Sequence, residues 1–265
     1  MGFDSVKKLF LGLTVVVFSA CGNGKKSSEE AINISSTGTD VSIPKDAKWS
    51  TRMMLSEMHR FPHAWMLDFN DKPKWSYTNG LVLKAAKGVY TNTGEEKFYD
   101  YIQDYADEMI DSTGTIKTYS LEKQNLDMLN SGNILLYLFP KTHKEKYLRA
   151  LLTLRSQIDT QPRTPDGGFW HKKRYTNQMW LDGLYMAEPF YAHFTQMFSK
   201  GQEAEKAYND IVNQFSLIEQ HAKDPKTGLL YHGWDSSKEQ KWANKETGTS
   251  PNFWSRAMGW YGMAL

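Results

Sequence analysis

One cysteine in 265 residues excludes an intramolecular disulfide. Net charge is nearly as scarce. Lys and Arg number 32 against 30 Asp and Glu, a balance of +2 that builds no field for nucleic acid or acidic lipid. No apolar run reaches the roughly 20 residues that cross a bilayer. There is no Gly-rich phosphate loop, no His-Glu-x-x-His and no nucleophile elbow, and the seven histidines are scattered without metal-ligand spacing. Phosphate-loop, zinc and serine-hydrolase chemistry therefore lack their parts, and no metal or organic cofactor is expected. Aromatic residues are plentiful: nine Trp, fourteen Tyr and thirteen Phe make 14% of the chain. A core does not need that many indoles, and flat sugar rings are a common reason to line a cleft with them.

Residues 1–21 read as an export signal. Lys7 and Lys8 precede an almost unbroken apolar run, Leu9 to Phe18, and Ser19-Ala20 stand directly before Cys21. Small residues abutting a lone cysteine resemble a bacterial lipobox, in which the thiol receives lipid and becomes the mature N-terminus. The alternative is an ordinary cleaved signal with an incidental cysteine. Residues 22–48 are polar, rich in Ser and Gly, and suit a flexible tether. The expectation is an exported protein, periplasmic or on the cell surface, held to the membrane by its N-terminus only.

From residue 49 the pattern is helical, and residues 49–265 are expected to form one domain. Apolar residues recur at three- and four-residue steps in Leu81-Val82-Ala85-Ala86-Val89, Tyr101-Tyr105-Met109, Leu126-Leu129-Ile134-Leu135-Leu138 and Tyr147-Leu151-Leu154-Ile158. Further helices fit 179–199, 201–222 and 252–265. Short strands are conceivable only at Gly168-Trp170 and Leu229-Gly233. Asn92-Thr93-Gly94, Ser112-Thr113-Gly114 and Pro140 mark helix stops. Two connections, 160–178 and 224–252, are long and crowded with Trp, His, Asp and Arg. Helical hairpins with chemistry loaded onto one set of loops suggest an all-α toroid. About eight helices are counted where a double ring of six hairpins needs twelve, so the ring is expected to be incomplete and the sequence a fragment.

The densest chemistry lies in Pro162-Arg163-Thr164-Pro165-Asp166-Gly167-Gly168-Phe169-Trp170-His171-Lys172 and in Gln178-Met179-Trp180-Leu181-Asp182-Gly183. Asp182 falls between an indole and a glycine where a helix begins. A carboxyl poorly solvated there has its charged form disfavoured, which suits a proton donor near neutral pH. Asp at a helix start is equally a cap. A second cluster runs Tyr231-His232-Gly233-Trp234-Asp235, then Trp242, then Trp254-Ser255-Arg256 to Trp260. Arg256 offers a planar fork for a carboxylate, and Trp260 lies four residues on, along the same helical face. A structural ion pair for Arg256 and a satisfied buried imidazole for His232 are the plainer readings. Asp127 heads an apolar helix, where a solvated carboxylate is also the plain explanation. Tyr77 and Asn79 belong to an aromatic turn that serves equally as a staple or cap.

Together PRTPDGGFWHK, QMWLDGLYMAEPF, TGLLYHGWD and TGTSPNFWSRAMGWYGMA resemble glycoside hydrolase family 105. These are the unsaturated rhamnogalacturonyl hydrolases of pectin breakdown, related to the family 88 unsaturated glucuronyl hydrolases. The resemblance runs from about Trp75 to Leu265 and implies an (α/α)6 barrel without cofactor. It also implies release of the C4=C5 unsaturated uronic acid from the non-reducing end of an oligosaccharide, by hydration of the vinyl ether. Carried onto this sequence, it makes Asp182 the acid/base and Asp127 a second acid that holds ring hydroxyls and raises the pKa of Asp182. His232 positions sugar or water. Arg256, Lys172 and His171 neutralise the uronate, and Trp180, Trp234 and Trp260 are stacking walls. Tyr77 and Asn79 fall near the rim.

Two other functions fit the same residues. One is a conventional inverting glycosidase on an α/α toroid with Asp127 and Asp182 as its acids, which strict dependence on the C4=C5 bond would exclude. The other is a lipid-anchored sugar-binding protein without catalysis, marked by binding without turnover.

Overall fold

The computed structural model describes residues 43–265; the expected export signal 1–21, the expected lipid-acceptor Cys21 and residues 22–42 of the expected tether lie outside the described residues. Nine α-helices are present among the described residues: α1 (Trp49–Arg60), α2 (Tyr77–Thr93), α3 (Glu96–Met109), α4 (Asp127–Asn130), α5 (Gly132–Thr142), α6 (Glu145–Thr160), α7 (Leu181–Phe198), α8 (Gly201–Ala222) and α9 (Ser255–Ala264). None is long and apolar enough to cross a membrane.

Packing contacts sort these helices into two layers, and burial marks one pair clearly. Helix α7 buries 11 of its 18 residues, on every side, whereas the longer α8 buries only 5 of 22 along one stripe. A helix apolar all round belongs inside; one apolar along a stripe covers it. By these contacts α1, α3, α6 and α8 form the outer layer and α2, α4–α5, α7 and α9 the inner one. Each outer helix packs on the inner helix beside it in sequence: α3 on α2, α6 on α5, α8 on α7. The inner helices touch in order, α2 to α4 and α5, these to α7, and α7 to α9. This is the toroid that the helical spacing implies.

The 3.6-residue period explains the stripes. In α3, Phe98, Tyr101, Ile102, Tyr105, Ala106 and Met109 are buried; in α6, Tyr147, Ala150, Leu151, Leu154, Gln157 and Ile158 are. Gly94 ends α2 in the left-handed region at φ 70°, a conformation glycine adopts without penalty. Several boundaries differ from expectation, among them the start of α9 at Ser255 instead of residue 252. Pro140 does not stop its helix at once: α5 runs two residues past it, to Thr142. The stretch Leu126–Leu138 is divided at Ser131, whose hydroxyl donates to the Ser76 carbonyl at 2.6 Å. The helix expected over 179–199 begins at Leu181, since Gln178–Trp180 (β1) pairs antiparallel with Gly233–Asp235 (β2). Of the expected strand pieces, Phe169 bridges Arg163 and Leu230 bridges Lys223.

Two apolar cores result. The larger joins α1 through α7 and takes in Trp260; the smaller gathers Met179, Leu181, Leu184, Leu217, Ile218, Ala222, Leu230, Trp234 and Ala257 beneath β1 and β2. The smaller core braces the loops that carry the chemistry.

Candidate active site

The N-terminal ends of the inner helices converge on one face. Tyr77 opens α2, Asp127 opens α4, Asp182 is the second residue of α7 and Arg256 the second of α9. The positive dipole ends of α2, α7 and α9 thus belong to this group, while α4 is a single turn. The ribbon completes the group. Trp180 pairs with Gly233, and the backbone N–H of Leu181 donates to the His232 carbonyl at 3.0 Å, which seats His232 beside Asp182. The charges act on one another: Asp182 feels His171, His232 and Arg256, and Tyr77 feels Asp127, Asp182, Arg256 and Asp68.

The carboxyl of Asp182 is the group out of balance. Burial pushes its pKa above the ordinary aspartate value; His171, its own backbone N–H, His232 and Arg256 pull the other way and do not prevail. Its Oδ2 is buried with no hydrogen-bond partner among the described residues. The residue before α7 is Trp180, and no side chain caps this helix. Asp182 is thus not spent as a cap.

Asp127 is the opposite case. Its Oδ2 accepts from Lys172 Nζ at 2.5 Å and its Oδ1 lies 3.1 Å from His171 Nε2; burial would raise its pKa, but these two partners hold it down to about 2. This corrects two expectations. Burial, not the charge of Asp127, raises Asp182. Lys172 and His171 are turned to Asp127 and do not stand unpaired for a substrate carboxylate. His171 is held firmly: its ring stacks 4.6 Å from Trp180, its backbone N–H donates to the Gln178 carbonyl, and Gly183 gives it room.

The aromatic assignments divide. Trp180 stands at the site, but its ring is stacked by His171 and by Tyr175 at 4.9 Å, with the His232 ring edge-on at 6.3 Å. Trp234 is a correction. Side chains alternate along a strand, so the neighbour of Gly233 points away from Trp180 and into the smaller core. There it stacks on His221 at 3.7 Å and donates from Nε1 to the Thr247 carbonyl. Trp260 is likewise buried, against Tyr77 and Tyr185, and supports the site from below. Asn79 is a third correction: fully buried, it donates to the Ala64 carbonyl at 2.6 Å and fixes the turn before α2. Tyr77 is half-buried at the site itself. Arg256 is exposed, with its guanidinium 4.0 Å over the ring of Trp254.

Two further residues join the site: Trp254, which the second sequence cluster contained without a role, and Tyr175, which sequence did not single out. Trp254 is the exposed indole here, edge-on to His232 at 5.8 Å, and its spacing two residues before Arg256 at a helix start is the available signal. The Asp166-Gly167-Gly168 motif is scaffolding: Arg163 forks onto Asp210 at 2.7 Å twice, Asp166 meets His221 at 2.8 Å, and Gln214 holds both Gly167 and Phe169. Among the described residues no group of three or more His, Cys, Asp or Glu is placed to hold a metal.

The sequence pattern of Glycosyl Hydrolase Family 88 matches residues 49–265. The unsaturated rhamnogalacturonyl hydrolase YesR of Bacillus subtilis is 24% identical over 197 residues, covering 72% of this chain and 52% of that protein. Among solved structures, a family 105 glycoside hydrolase of C. acetobutylicum ATCC 824 is 45% identical with a TM-score of 0.74, over 82% of this chain and 57% of that one. A possible member of family 105 from Klebsiella pneumoniae is 26% identical with a TM-score of 0.54, over 64% of this chain and 42% of that one. The chain spans about half the length of these relatives.

Proposed function

Because the chain belongs to glycosyl hydrolase family 88, we propose that it releases a C4=C5 unsaturated uronic acid from the non-reducing end of a pectin-derived oligosaccharide, with Asp182 as the acid and base. The observation that carries this reading is the carboxyl of Asp182: raised by burial, with Oδ2 unpartnered, among His171, His232 and Arg256.

A vinyl ether is electron-rich at C4. Protonated Asp182 delivers its proton there, and the cation left at C5 is stabilised by the ring oxygen. Water adds at C5 while the Asp182 carboxylate takes its proton, so the acid is restored. The hemiketal then opens and releases the remaining oligosaccharide from a 4-deoxy-5-keto-uronate. One carboxyl serves both steps, which agrees with a site in which the other, Asp127, is locked as an anion by Lys172 and His171. Asp127 then accepts from ring hydroxyls, Arg256 faces the substrate carboxylate with its planar fork, Trp254 flanks the sugar, and His232 orients the water. With its pKa raised, Asp182 keeps a proton to give at pH values where an ordinary aspartate has lost it.

The test is Asp182→Asn assayed on an unsaturated rhamnogalacturonan disaccharide. Loss of turnover, read as persistence of the ultraviolet absorbance of the double bond, is expected. Full rate in the variant would contradict the assignment.

We propose further that the protein is exported and lipidated at Cys21, on the strength of Lys7, Lys8, the run Leu9 to Phe18 and the small pair Ser19-Ala20. Mass spectrometry of the mature N-terminus decides this: a diacylglyceryl cysteine supports it, and an unmodified N-terminus elsewhere contradicts it.

A further inference from the structure

Beside the Asp182 site lies a cavity of about 480 Å³ whose charged lining is entirely cationic: Lys123, Lys172, Lys173 and Arg174, with Asn125 and Met128. That volume falls within the range of sites for small molecules, about 300–1,000 Å³. Two segments build it. The stretches 121–126 and 171–174 run side by side, tied by Leu126 N–H to the His171 carbonyl at 3.1 Å and Lys173 N–H to the Gln124 carbonyl at 3.1 Å. Gln124 is held left-handed at φ 42°, and Gln161 donates to its carbonyl and to that of Trp170. The backbone that presents these cations is therefore fixed, although their side chains are long.

Their charges are unequal. Lys172 is neutralised by Asp127, whereas Lys123, Lys173 and Arg174 have no carboxylate partner among the described residues. Tyr175 supplies a flat surface among them, with Arg174 at 4.8 Å and Lys172 at 5.6 Å from its ring centre. The same ring stacks 4.9 Å from Trp180. Lys172 lines the cavity and pairs with Asp127, and Tyr175 stacks on Trp180, so these two residues link the cavity to the candidate site. Asp182, His232 and Arg256 do not line the cavity.

We infer that this cavity is a subsite for a second acidic sugar, one further along the same oligosaccharide from the unsaturated uronate. The inference rests on the activity proposed above and narrows it: the preferred substrate is a polyanionic oligosaccharide, bound at two charged positions.

The experiment compares the full chain with its Lys123→Ser/Lys173→Ser variant, on an unsaturated disaccharide with a neutral second sugar and on a longer unsaturated oligosaccharide carrying a second uronate. The variant is expected to raise KM about tenfold for the second substrate, to leave kcat/KM for the first unchanged, and to lose most of the salt sensitivity of KM. Equal effects on both substrates, or an unchanged KM for the charged one, overturn the inference. Calorimetric binding of saturated trigalacturonate separates this from the activity. If the wild type turns over no unsaturated sugar, the activity reading falls, while a Kd about tenfold weaker in the variant still supports the subsite. Equal Kd values overturn it.

Discussion

Lys172 Nζ stands 2.5 Å from Oδ2 of Asp127, so the lysine nearest the candidate site already has its counter-ion. Asp127 is held as an anion at neutral pH and Lys172 is turned to it, which under the proposed function leaves Arg256 as the cation for the uronate. Each of these consequences can be measured.

Asp127→Asn should lower both stability and activity. The folded pKa of Asp127 lies near 2, below the ordinary 3.8, so its stabilisation is fully present above the unfolded value and is lost as pH falls toward 2. At neutral pH the loss should be roughly 2 kcal/mol, since the variant also strands Lys172 and His171. Urea unfolding at pH 7 and pH 3 checks this; a loss of the same size at both values would contradict it.

Arg256→Ala should raise KM for the unsaturated uronide at least about tenfold, the scale of removing one charge-assisted hydrogen bond. Arg256 also pulls the pKa of Asp182 down, so its removal should move the alkaline limb of kcat to higher pH. A limb that stays in place or moves down would show that the two groups do not interact.

Gly183→Ala tests how His171 is positioned. A Cβ at residue 183 would meet His171 Nδ1 at 3.1 Å and Leu126 at 3.2 Å. Displacing His171 disturbs Asp127 and Trp180 together, and kcat/KM should fall roughly ten- to a hundredfold. Unaltered kinetics would mean that the ring yields freely.

Much of this architecture is legible in the sequence, and the misreadings have physical sources. Three- and four-residue spacing locates α2, α3, α6, α7 and α8, because a packed helix must keep its apolar residues on one side. Asp182 and Arg256 are legible from the company they keep at helix starts. Trp234 is not, because its side depends on a three-residue strand, β2, too short to announce its alternation, and one register step decides between site and core. Asn79 is not, because a buried amide tied to a backbone carbonyl looks the same in sequence as one lining a cleft. The aromatic excess misleads in part: Trp75, Trp234 and Trp260 are structural, and the exposed indole at the site is Trp254.

Glu188 offers a test of the interior apart from the site. It is buried on α7 with Oε2 unpartnered, and burial lifts its pKa well above the ordinary glutamate value. A group raised on folding stabilises fully below its unfolded pKa, and that contribution is lost as pH rises through the folded one. Glu188→Gln should therefore be more stable than wild type at pH 8 by about 1 kcal/mol or more, and close to it at pH 5. Thermal melts at the two values decide it; a stability gain that does not grow with pH would contradict it.

The measurement that bears most directly on the proposed chemistry is a carbon-detected NMR titration of the Asp182 carboxyl in the intact protein, with Asp182→Asn used to assign the resonance. The predicted result is a midpoint above 3.8, coinciding with the alkaline limb of kcat/KM for the unsaturated disaccharide. A midpoint at or below 3.8 would contradict it.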